Sequence, residues 1–388
     1  MRLLHLTPYY APAYPFGGVV RAVEGMARTL STRGHEVTIL TTDALSPHRR
    51  YTGPMDEECD GVRVIRVPNL LARSALNLST PRGLSRVARH ALQTADLLHV
   101  HEFRTVENLI VTPLAERLGM PVVLSPHGTL TLETGRRAVK ALWDRLFSAG
   151  VARRIDTVIG LTASEAAEAQ ALWRRLGASR TAFAVVPNGV DAGIFDALPD
   201  GRAFRERFGL GDAVVCLFLG RLHPRKGPHL LAEAFQRAAP EHARLVIAGP
   251  DEGALALVQP FVDRRVVVTG YLGPEARLEA LAAADVFALP ATGEGLSIAL
   301  LEAFGAGLPA IISPGCNLPE AVEAGAAIET PPQVEPLAGA LQLLLTDETR
   351  RTAMGAAARR LARERFTWEA VAVGLEQVYE AALARQSG

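Results

Sequence analysis

The sequence has few cysteines and lacks long apolar runs. Only three cysteines occur among 388 residues, at Cys59, Cys216 and Cys316. Their odd number and wide spacing favour free thiols over a disulfide framework or a cysteine metal site, which indicates a reducing compartment. No apolar stretch reaches the ~18 residues of a membrane span, and no cleavable signal precedes the first predicted strand. We therefore expect a cytoplasmic protein.

Positive charge is not in surplus. The 41 Lys and Arg residues balance 41 Asp and Glu residues, whereas binding to nucleic acid usually needs a basic excess. Nucleic acid is therefore not an expected partner. Lysine itself is scarce, since it occurs only at Lys140 and Lys226 and every other basic residue is arginine. The lysine at position 226 indicates a need for a compact point charge there.

What the sequence does contain is a regular alternation of Val/Ile/Leu-rich runs with helical patterns, which is typical of parallel strands buried on both faces. At roughly 150 residues per domain, the length favours two domains. We predict an α/β fold of two Rossmann-like, doubly wound parallel-sheet domains with an interdomain cleft. The predicted strands are 2–7, 35–42, 62–67, 96–102, 122–126, 157–162 and 183–187, then 214–221, 244–248, 265–270, 286–289 and 310–312. The first series is separated by predicted helices at 18–32, 84–94, 106–118, 137–153 and 164–176.

A turn-forming run at 187–191 marks the boundary between the two domains. We place the N-terminal domain at 1–190 and the C-terminal domain at 191–367. The last predicted helix, 368–385, is expected to pack back on the first domain. The acidic cluster 56–60 is interpreted as a solvated loop.

Open parallel sheets bind ligands at the carboxyl ends of their strands. Residues 293–302 follow a predicted strand and open a helix, so the first free amides, around Ser297 and Ile298, form an anion site. Glu294 and Glu302 then flank a diphosphate at different depths. The alternative is a helix with one capping acid and one surface acid.

Residues 220–227 also follow a strand, and they carry Arg221 and Lys226. Both cations are placed to neutralise a diphosphate, although a solvated turn cation is the alternative for Lys226.

In the first domain, Gly17 and Gly18 join the first strand to the first helix and allow backbone amides to approach a ligand. His127 ends another strand at the same edge, where a hydrogen-bonded structural histidine is equally well supported.

His99 and His101 alternate along one strand and point to the same face, which together with His127 raises the possibility of a metal site. No carboxylate or cysteine is spaced to complete its coordination shell. We therefore expect no metal and no other cofactor.

Together these stretches resemble the retaining glycosyltransferases of family 4, which have the two-domain architecture called GT-B. The resemblance runs from Gly17 and Gly18 through His127, the run 188–191 and the loop 220–227 to Glu294 and Glu302. Its most specific part is the Glu-x7-Glu spacing preceded by the Arg221 and Lys226 pair.

The resemblance implies a metal-independent hexosyltransferase that uses a nucleotide-diphosphate sugar, and the absence of an Asp-x-Asp run agrees with it. Arg221 and Lys226 would stabilise the charge growing on the leaving diphosphate, and the amides of Leu296, Ser297 and Ile298 would share that role. The remaining roles that it implies are ribose binding by Glu302, contacts to the donor sugar by Glu294 and by His127 of the other domain, a base site near Tyr271 and Leu272, and donor-binding positions at Gly17, Gly18 and Asn188.

Two departures from the family pattern are visible. The glycine loop lacks the lysine that precedes it in starch and glycogen synthases, which argues against polymer extension from an ADP-sugar. Ala291 and Thr292 replace the commoner Pro-Ser. A nucleotide-sugar epimerase, a phosphorylase or a non-catalytic sugar-nucleotide binder on the same fold are the alternatives.

The expected acceptor is a sugar or a lipid-linked glycan, as in the synthesis of cell-surface polysaccharide or glycolipid. The predicted helix within 136–154 mixes basic residues with Val139, Leu142, Trp143, Leu146 and Phe147. Such a face is suited to peripheral contact with the inner, anionic face of a membrane. An ordinary surface helix explains the pattern equally well.

Overall fold

The structure is a computed structural model that describes residues 1–70, 79–130 and 137–387. The chain divides into two compact units, Met1–Gly189 with Trp368–Gly388, and Val190–Thr367. The division therefore falls between Gly189 and Val190, one residue before the boundary predicted from the turn-forming run. The C-terminal helix belongs to the first unit.

The first unit is built on an eight-stranded sheet in the order β10-β9-β8-β7-β1-β2-β6-β5. All pairings in it are parallel except that of β5 with β6. Strand β1 lies between β7 and β2, so the direction of winding reverses there. The strands are β1 (Arg2–Leu6), β2 (Glu36–Thr42), β5 (Asp56–Cys59), β6 (Val62–Val67), β7 (Leu97–His101), β8 (Val122–Ser125), β9 (Thr157–Gly160) and β10 (Ala182–Val185), and β3 (Ala44–Ser46) and β4 (Arg49–Arg50) form a separate pair.

The acidic run that the sequence suggested was a loop is instead the edge strand β5. It is largely exposed, and Asp56 forms an ion pair with Arg63 of β6 at 2.7 Å. Glu57 accepts hydrogen bonds from Tyr51 and pairs with Arg66. An edge strand needs only one neighbour and tolerates charge on its exposed side, so its composition does not distinguish it from a loop.

Helices cover the first sheet. The predicted single helix at 137–153 is divided, because a π-helical turn, Asp144–Ser148, interrupts it. The helices of this unit are Gly18–Thr32, Leu84–Gln93, Val106–Arg117, Arg137–Trp143, Ala149–Ala152, Ala163–Arg175 and Trp368–Ser387.

The C-terminal helix is held in the first unit by two contacts of different kinds. Tyr379 is fully buried and its hydroxyl lies 2.8 Å from His99 Nδ1. Glu376 accepts two hydrogen bonds from the Arg33 guanidinium, each 2.7 Å long, and a third contact from His35. The helix is therefore part of this unit's core as well as of its surface.

The second unit is a six-stranded, wholly parallel sheet in the order β13-β12-β11-β14-β15-β16. Its strands are β11 (Val214–Leu219), β12 (Ala243–Ala248), β13 (Val266–Gly270), β14 (Val286–Leu289), β15 (Ala310–Ile312) and β16 (Ala327–Glu329), and the last of these was not predicted. Its helices are Ala192–Asp196, Arg202–Arg207, Pro228–Ala238, Leu255–Val258, Pro274–Ala283, Ile298–Gly305, Pro319–Glu323, Val334–Thr346 and Glu348–Arg365.

The burial of the central strands explains why the alternation of apolar runs with helical patterns could be recognised in the sequence. Both central strands, β1 and β11, are almost wholly buried, as a sheet covered on both faces requires. Within the described ranges, no helix combines the length and the apolar composition needed to cross a bilayer.

Candidate functional site

The loop after β11 begins the site in the second unit, because β11 lies between β12 and β14, where the winding direction reverses. The loop closes in a 3-10 turn, Pro224–Lys226, that His223 caps by accepting a hydrogen bond from Arg225 N at 3.1 Å. The turn thereby holds Lys226 at the carboxyl edge of the sheet.

Lys226 lies 3.1 Å from Glu294, measured from Nζ to Oε1. Both side chains are mostly buried, with 12% and 14% of their surface exposed. The two predicted site residues, which are 68 positions apart in the sequence, are thus in direct contact. A buried cation with one carboxylate partner is well suited to exchange that partner for a second anion.

Two glycines allow these loops to approach one another. Gly227 has a φ of +68°, and a Cβ there would lie 2.5 Å from Pro290 O. A Cβ on Gly315 would lie 2.3 Å from Ala291 O, and Gly315 O accepts a hydrogen bond from Glu294 N at 2.8 Å. Any other residue at either position would displace the loop that carries Glu294.

The helix Ile298–Gly305 begins directly after this loop. Leu296, Ser297 and Ile298 are buried, and Ser297 occupies the N-cap position without a side-chain capping bond. The start of this helix agrees with the sequence prediction. Its N-terminal partial positive charge is directed to the same edge of the sheet as Lys226.

Glu302, inside that helix, forms a buried ion pair with Arg277. Only 12% of the Arg277 side chain and 8% of the Glu302 side chain are exposed. Sequence reasoning missed Arg277, since the chain contains many arginines and the partner of this one is 25 positions away, on another helix. Any ligand hydroxyl that binds Glu302 must share it with this guanidinium.

The other predicted residues of this unit lie further towards solvent or within the core. Arg221 is paired with Glu252 at 2.9 Å, and each side chain is 36% exposed. Tyr271 is 45% exposed, whereas Leu272 is buried. Arg225, which was not singled out, donates from Nη1 to Gly293 O at 3.4 Å, and burial lowers its pKa. The sequence feature that could have identified Arg225 is its position between Arg221 and Lys226.

In the first unit, the loop after β1 brings Gly17 to the N-cap of the helix Gly18–Thr32 with a φ of +109°. A Cβ on Gly18 would meet no atom within 4 Å, so there is open space at this helix start. Asn188, near the end of the unit, is buried.

His127 follows β8 in a left-handed conformation with a φ of +54°, and Gly128 has a φ of +74°. Such backbone strain in a non-glycine residue is found mainly where function or tight packing requires it. The turn is held by Glu165, whose carboxylate accepts from Gly128 N and, at 2.7 Å, from Leu161 N. Burial raises the pKa of Glu165. Glu165 was also missed, although the run Thr162 to Glu165 is a capping-box pattern.

Three further histidines lie on the neighbouring strands β1 and β7, and His101 among them contacts His127. One of the three, His5, was not anticipated from the sequence. His5 and His99 are directly opposite each other in the β1–β7 register. The rings of His5, His99 and His101 are close enough together to hold a metal ion, whereas His127 is outside this group. Five of their six ring nitrogens already make hydrogen bonds, to each other, to His127, to Tyr379 or to Ser125. No carboxylate or thiolate belongs to this group to offset an ion's charge.

Burial lowers the pKa of each of these four histidines. The pKa of His5 falls to about 3 and that of His127 to about 4, and those of His99 and His101 are lowered well below the usual value. All four are therefore neutral at pH 7, which makes them hydrogen-bond partners and not a positively charged site.

Comparison with known proteins gives consistent matches across both units. The family profile described as "Glycosyl transferase 4-like domain" matches residues 17–189, and that described as "Glycosyl transferases group 1" matches residues 202–361. The D-inositol 3-phosphate glycosyltransferase of Kineococcus radiotolerans is 32% identical, over 98% of this chain and 94% of that protein.

Two other relatives extend the comparison. The GDP-mannose-dependent alpha-(1-6)-phosphatidylinositol monomannoside mannosyltransferase of Mycolicibacterium smegmatis is 30% identical, over 91% of this chain and 92% of that protein. The crystal structure of Anabaena HepE in complex with UDP and glucose shares the fold, with a TM-score of 0.76 at 18% identity over 98% of this chain and 100% of that one.

Proposed function

The chain belongs to the group 1 glycosyltransferases, with the GT-B fold, and on that premise we propose that it is a retaining, metal-independent hexosyltransferase. The donor is a nucleoside-diphosphate sugar and the acceptor is a sugar or a lipid-linked glycan. The mannosyltransferase relative named above is described as GDP-mannose-dependent, which supports a donor of this class.

The observation that carries the proposal is the contact between Lys226 and Glu294 beside the start of the helix Ile298–Gly305. A cation and a helix N-terminus at the carboxyl edge of a parallel sheet together form a diphosphate site. Glu302 lies on this helix, and its ion-pair partner Arg277 lies on the helix Pro274–Ala283. Hydroxyl groups of a ribose would therefore find a carboxylate that accepts hydrogen bonds and a guanidinium that donates them.

Donor binding is proposed to exchange the partners of Lys226. A diphosphate carries more negative charge than one carboxylate, so its oxygens replace Glu294 as the partner of Nζ. Glu294 is then released to accept hydrogen bonds from the hydroxyls of the donor sugar. The cation is already placed to stabilise the charge that develops on the leaving diphosphate when the glycosidic bond breaks.

This arrangement supports transfer without a divalent metal, because Lys226, Arg221 and the helix amides supply the positive charge that a metal would otherwise supply. Retention of configuration is part of the proposal, and the family assignment supports it. The nucleotide's own phosphate accepts the acceptor proton, so Glu294 and His127 are assigned to sugar contacts and neither is assigned as nucleophile.

The acceptor side is proposed to involve a membrane surface. The segment 137–148 exposes four large apolar side chains, and Arg137 and Arg145 are exposed beside them. Apolar side chains flanked by cations are the pattern of a helix that rests at an anionic lipid interface. Arg136, which belongs to the predicted basic face, lies outside the described residues. The four apolar residues are Val139, Leu142, Leu146 and Phe147.

The proposal is tested by incubating the purified enzyme with UDP-, GDP- and ADP-hexoses and a panel of sugar and lipid-linked acceptors in the presence of EDTA. Release of nucleoside diphosphate that depends on the acceptor identifies the pair, and NMR of the product gives the anomeric configuration. An inverted product refutes retention, and activity that EDTA abolishes refutes metal independence. The Lys226→Met variant, which is expected to transfer sugar far more slowly, is the negative control.

A further inference from the structure

The loop that follows β15, residues 313–317, lies against the segment that carries Glu294 and binds both backbone polar groups of that residue. Glu294 N donates to Gly315 O at 2.8 Å, and Asn317 Nδ2 donates to Glu294 O, also at 2.8 Å. We call these two hydrogen bonds the Glu294 clamp. They hold the backbone of Glu294 independently of the contact that its side chain makes with Lys226.

The same loop also holds the residues that lead from β14 to Glu294. Ser313 Oγ donates to Ala291 O, and the Cys316 thiol donates to Leu289 O at 3.2 Å. Ser313, Ala291 and Cys316 are fully buried, so water does not compete for these bonds. The segment from the end of β14 to Glu294 therefore rests on the loop after β15 along its whole length.

Asn317 meets two requirements of the Glu294 clamp at once. Its backbone is left-handed, with a φ of +52° and a ψ of +41°, a conformation that glycine and asparagine adopt more readily than most residues. Its side chain must donate, because the carbonyl oxygen that it faces can only accept. Glycine would satisfy the backbone but supply no donor, and an ionised aspartate would present an oxygen to an oxygen.

The Glu294 clamp has a consequence for the exchange of partners at Lys226. In the proposed function, donor binding takes Lys226 away from Glu294 and releases its carboxylate. A backbone that is already fixed limits the movement of that carboxylate to rotation about its side-chain bonds. Less conformational entropy is then lost when the carboxylate accepts a hydrogen bond from a sugar hydroxyl.

We propose that Asn317 is a positioning residue, which holds the backbone of Glu294 so that the carboxylate released from Lys226 accepts hydrogen bonds from the donor sugar. This inference rests on the proposed function, since it takes the donor sugar as the ligand of Glu294. Every residue in it belongs to the second unit. Asn317 acts on the sugar only through Glu294.

The Glu294 clamp is measured in the ligand-free protein by amide hydrogen exchange, followed by NMR. Asn317→Gly keeps the left-handed backbone accessible and removes the side-chain donor. We expect it to speed exchange of the Glu294 amide about tenfold, because the loss of one hydrogen bond loosens the segment. Asp60→Gly is the matched control, since Asp60 is also left-handed, with a φ of +52°, and lies in the first unit. It should leave this exchange unchanged. Equal exchange of the Glu294 amide in wild type and Asn317→Gly overturns the proposal.

Kinetics test whether Asn317 acts through the side chain of Glu294. We expect Asn317→Gly to lower kcat about tenfold, the effect of one misplaced hydrogen-bonding group. Its affinity for the nucleoside diphosphate alone should be nearly unchanged, since that ligand has no sugar for Glu294 to bind. In a Glu294→Ala background, Asn317→Gly should have no further effect on kcat, because coupled residues are non-additive. Weakened nucleotide binding, or effects of the two substitutions that multiply, would show a general disturbance of the loop and contradict the inference.

The two measurements separate this inference from the function on which it rests, because hydrogen exchange needs no sugar. A protein that transfers no sugar, but whose Glu294 amide exchanges faster in Asn317→Gly, would refute the proposed function and with it the positioning role, while the Glu294 clamp would stand. A protein that transfers sugar equally fast with and without the Asn317 side chain would refute the positioning role alone.

Discussion

Lys226 and Glu294 form a mostly buried ion pair, with 3.1 Å between Nζ and Oε1, at the edge of the second sheet. Within the described part of the chain, this is the ion pair that each of the two side chains forms. In the proposed function, Lys226 becomes available to a diphosphate only when it gives up its contact with the Glu294 carboxylate.

Removing this cation is expected to impair transfer and, because it leaves the Glu294 carboxylate mostly buried without this partner, to lower stability as well. Lys226→Met should lower kcat about 10²–10³-fold, the usual cost of losing one group that stabilises transition-state charge. Steady-state kinetics with the identified donor measure the loss. Lys140→Met changes the only other lysine, which lies in the first unit, and should leave kcat unchanged. Equal activity of both variants would remove Lys226 from the mechanism.

The buried pair of Arg277 and Glu302 predicts an effect on stability that must be separated from an effect on binding. Glu302→Ala leaves the Arg277 charge buried without this partner and should cost about 3 kcal/mol of unfolding free energy. The double variant Glu302→Ala/Arg277→Met should recover most of that loss, since no isolated charge remains. Urea unfolding of the single and the double variant measures both losses of unfolding free energy. Additive destabilisation would show that the two side chains are not coupled.

The ion pair of Glu376 with Arg33 predicts a dependence of stability on pH. The hydrogen bond from Arg33 is the main reason that the pKa of Glu376 falls to about 2 from an ordinary 4.5. Its contribution is therefore fully present above pH 4.5 and is lost as the pH falls towards 2. With allowance for solvent screening, Glu376→Gln should cost about 1–2 kcal/mol at pH 7.

The loss from Glu376→Gln should shrink steadily between pH 4.5 and pH 2. Denaturant unfolding of wild type and variant over this range gives the difference. Glu380→Gln, on the same helix, is the control and should be nearly neutral at every pH. A difference for Glu376→Gln that stays constant with pH would contradict the account.

Much of the fold was readable from the sequence, and the exceptions have physical causes. Strands β6, β14 and β15 have the predicted bounds. Strands β14 and β15 are wholly buried parallel strands, which give continuous apolar runs, whereas β6 shows an alternation of valines with arginines. The edge strand β5 was missed because charge is tolerated there. Strand β16 was missed because its three residues, Ala-Ile-Glu, do not form an apolar run as those of β15 do.

Site residues could be predicted from the sequence where they lie in a loop directly after a recognisable strand, as Lys226 and Glu294 do. Arg277 and His5 were not readable. Each depends on a contact between elements that are distant in sequence, helix against helix for Arg277 and the register of β1 with β7 for His5. Sequence patterns indicate which elements form, but they do not give the pairing of individual side chains across them.

The exposed apolar face of the segment 137–148 predicts binding to lipid. Leu142 and Leu146 are 58% and 59% exposed, so replacing them should affect folding little. Leu142→Ser/Leu146→Ser should weaken binding to anionic vesicles at low salt about tenfold or more, because insertion would bury both side chains. Vesicle co-sedimentation measures the change. Leu118→Ser, equally exposed at 53% on the same unit, should bind like the wild type. Wild-type protein that does not bind such vesicles would refute the contact.

The central claim, that the second unit binds a nucleoside-diphosphate sugar without a metal, is tested most directly by thermal shift. UDP-, GDP- and ADP-sugars are added to wild type and to Lys226→Met, with Mg²⁺ or with EDTA, since a ligand that binds the native state raises its apparent stability. The account predicts that one nucleotide series raises Tm equally in Mg²⁺ and EDTA, and that the shift is lost in the variant. A wild type that responds to none of them, or only with Mg²⁺, would contradict it.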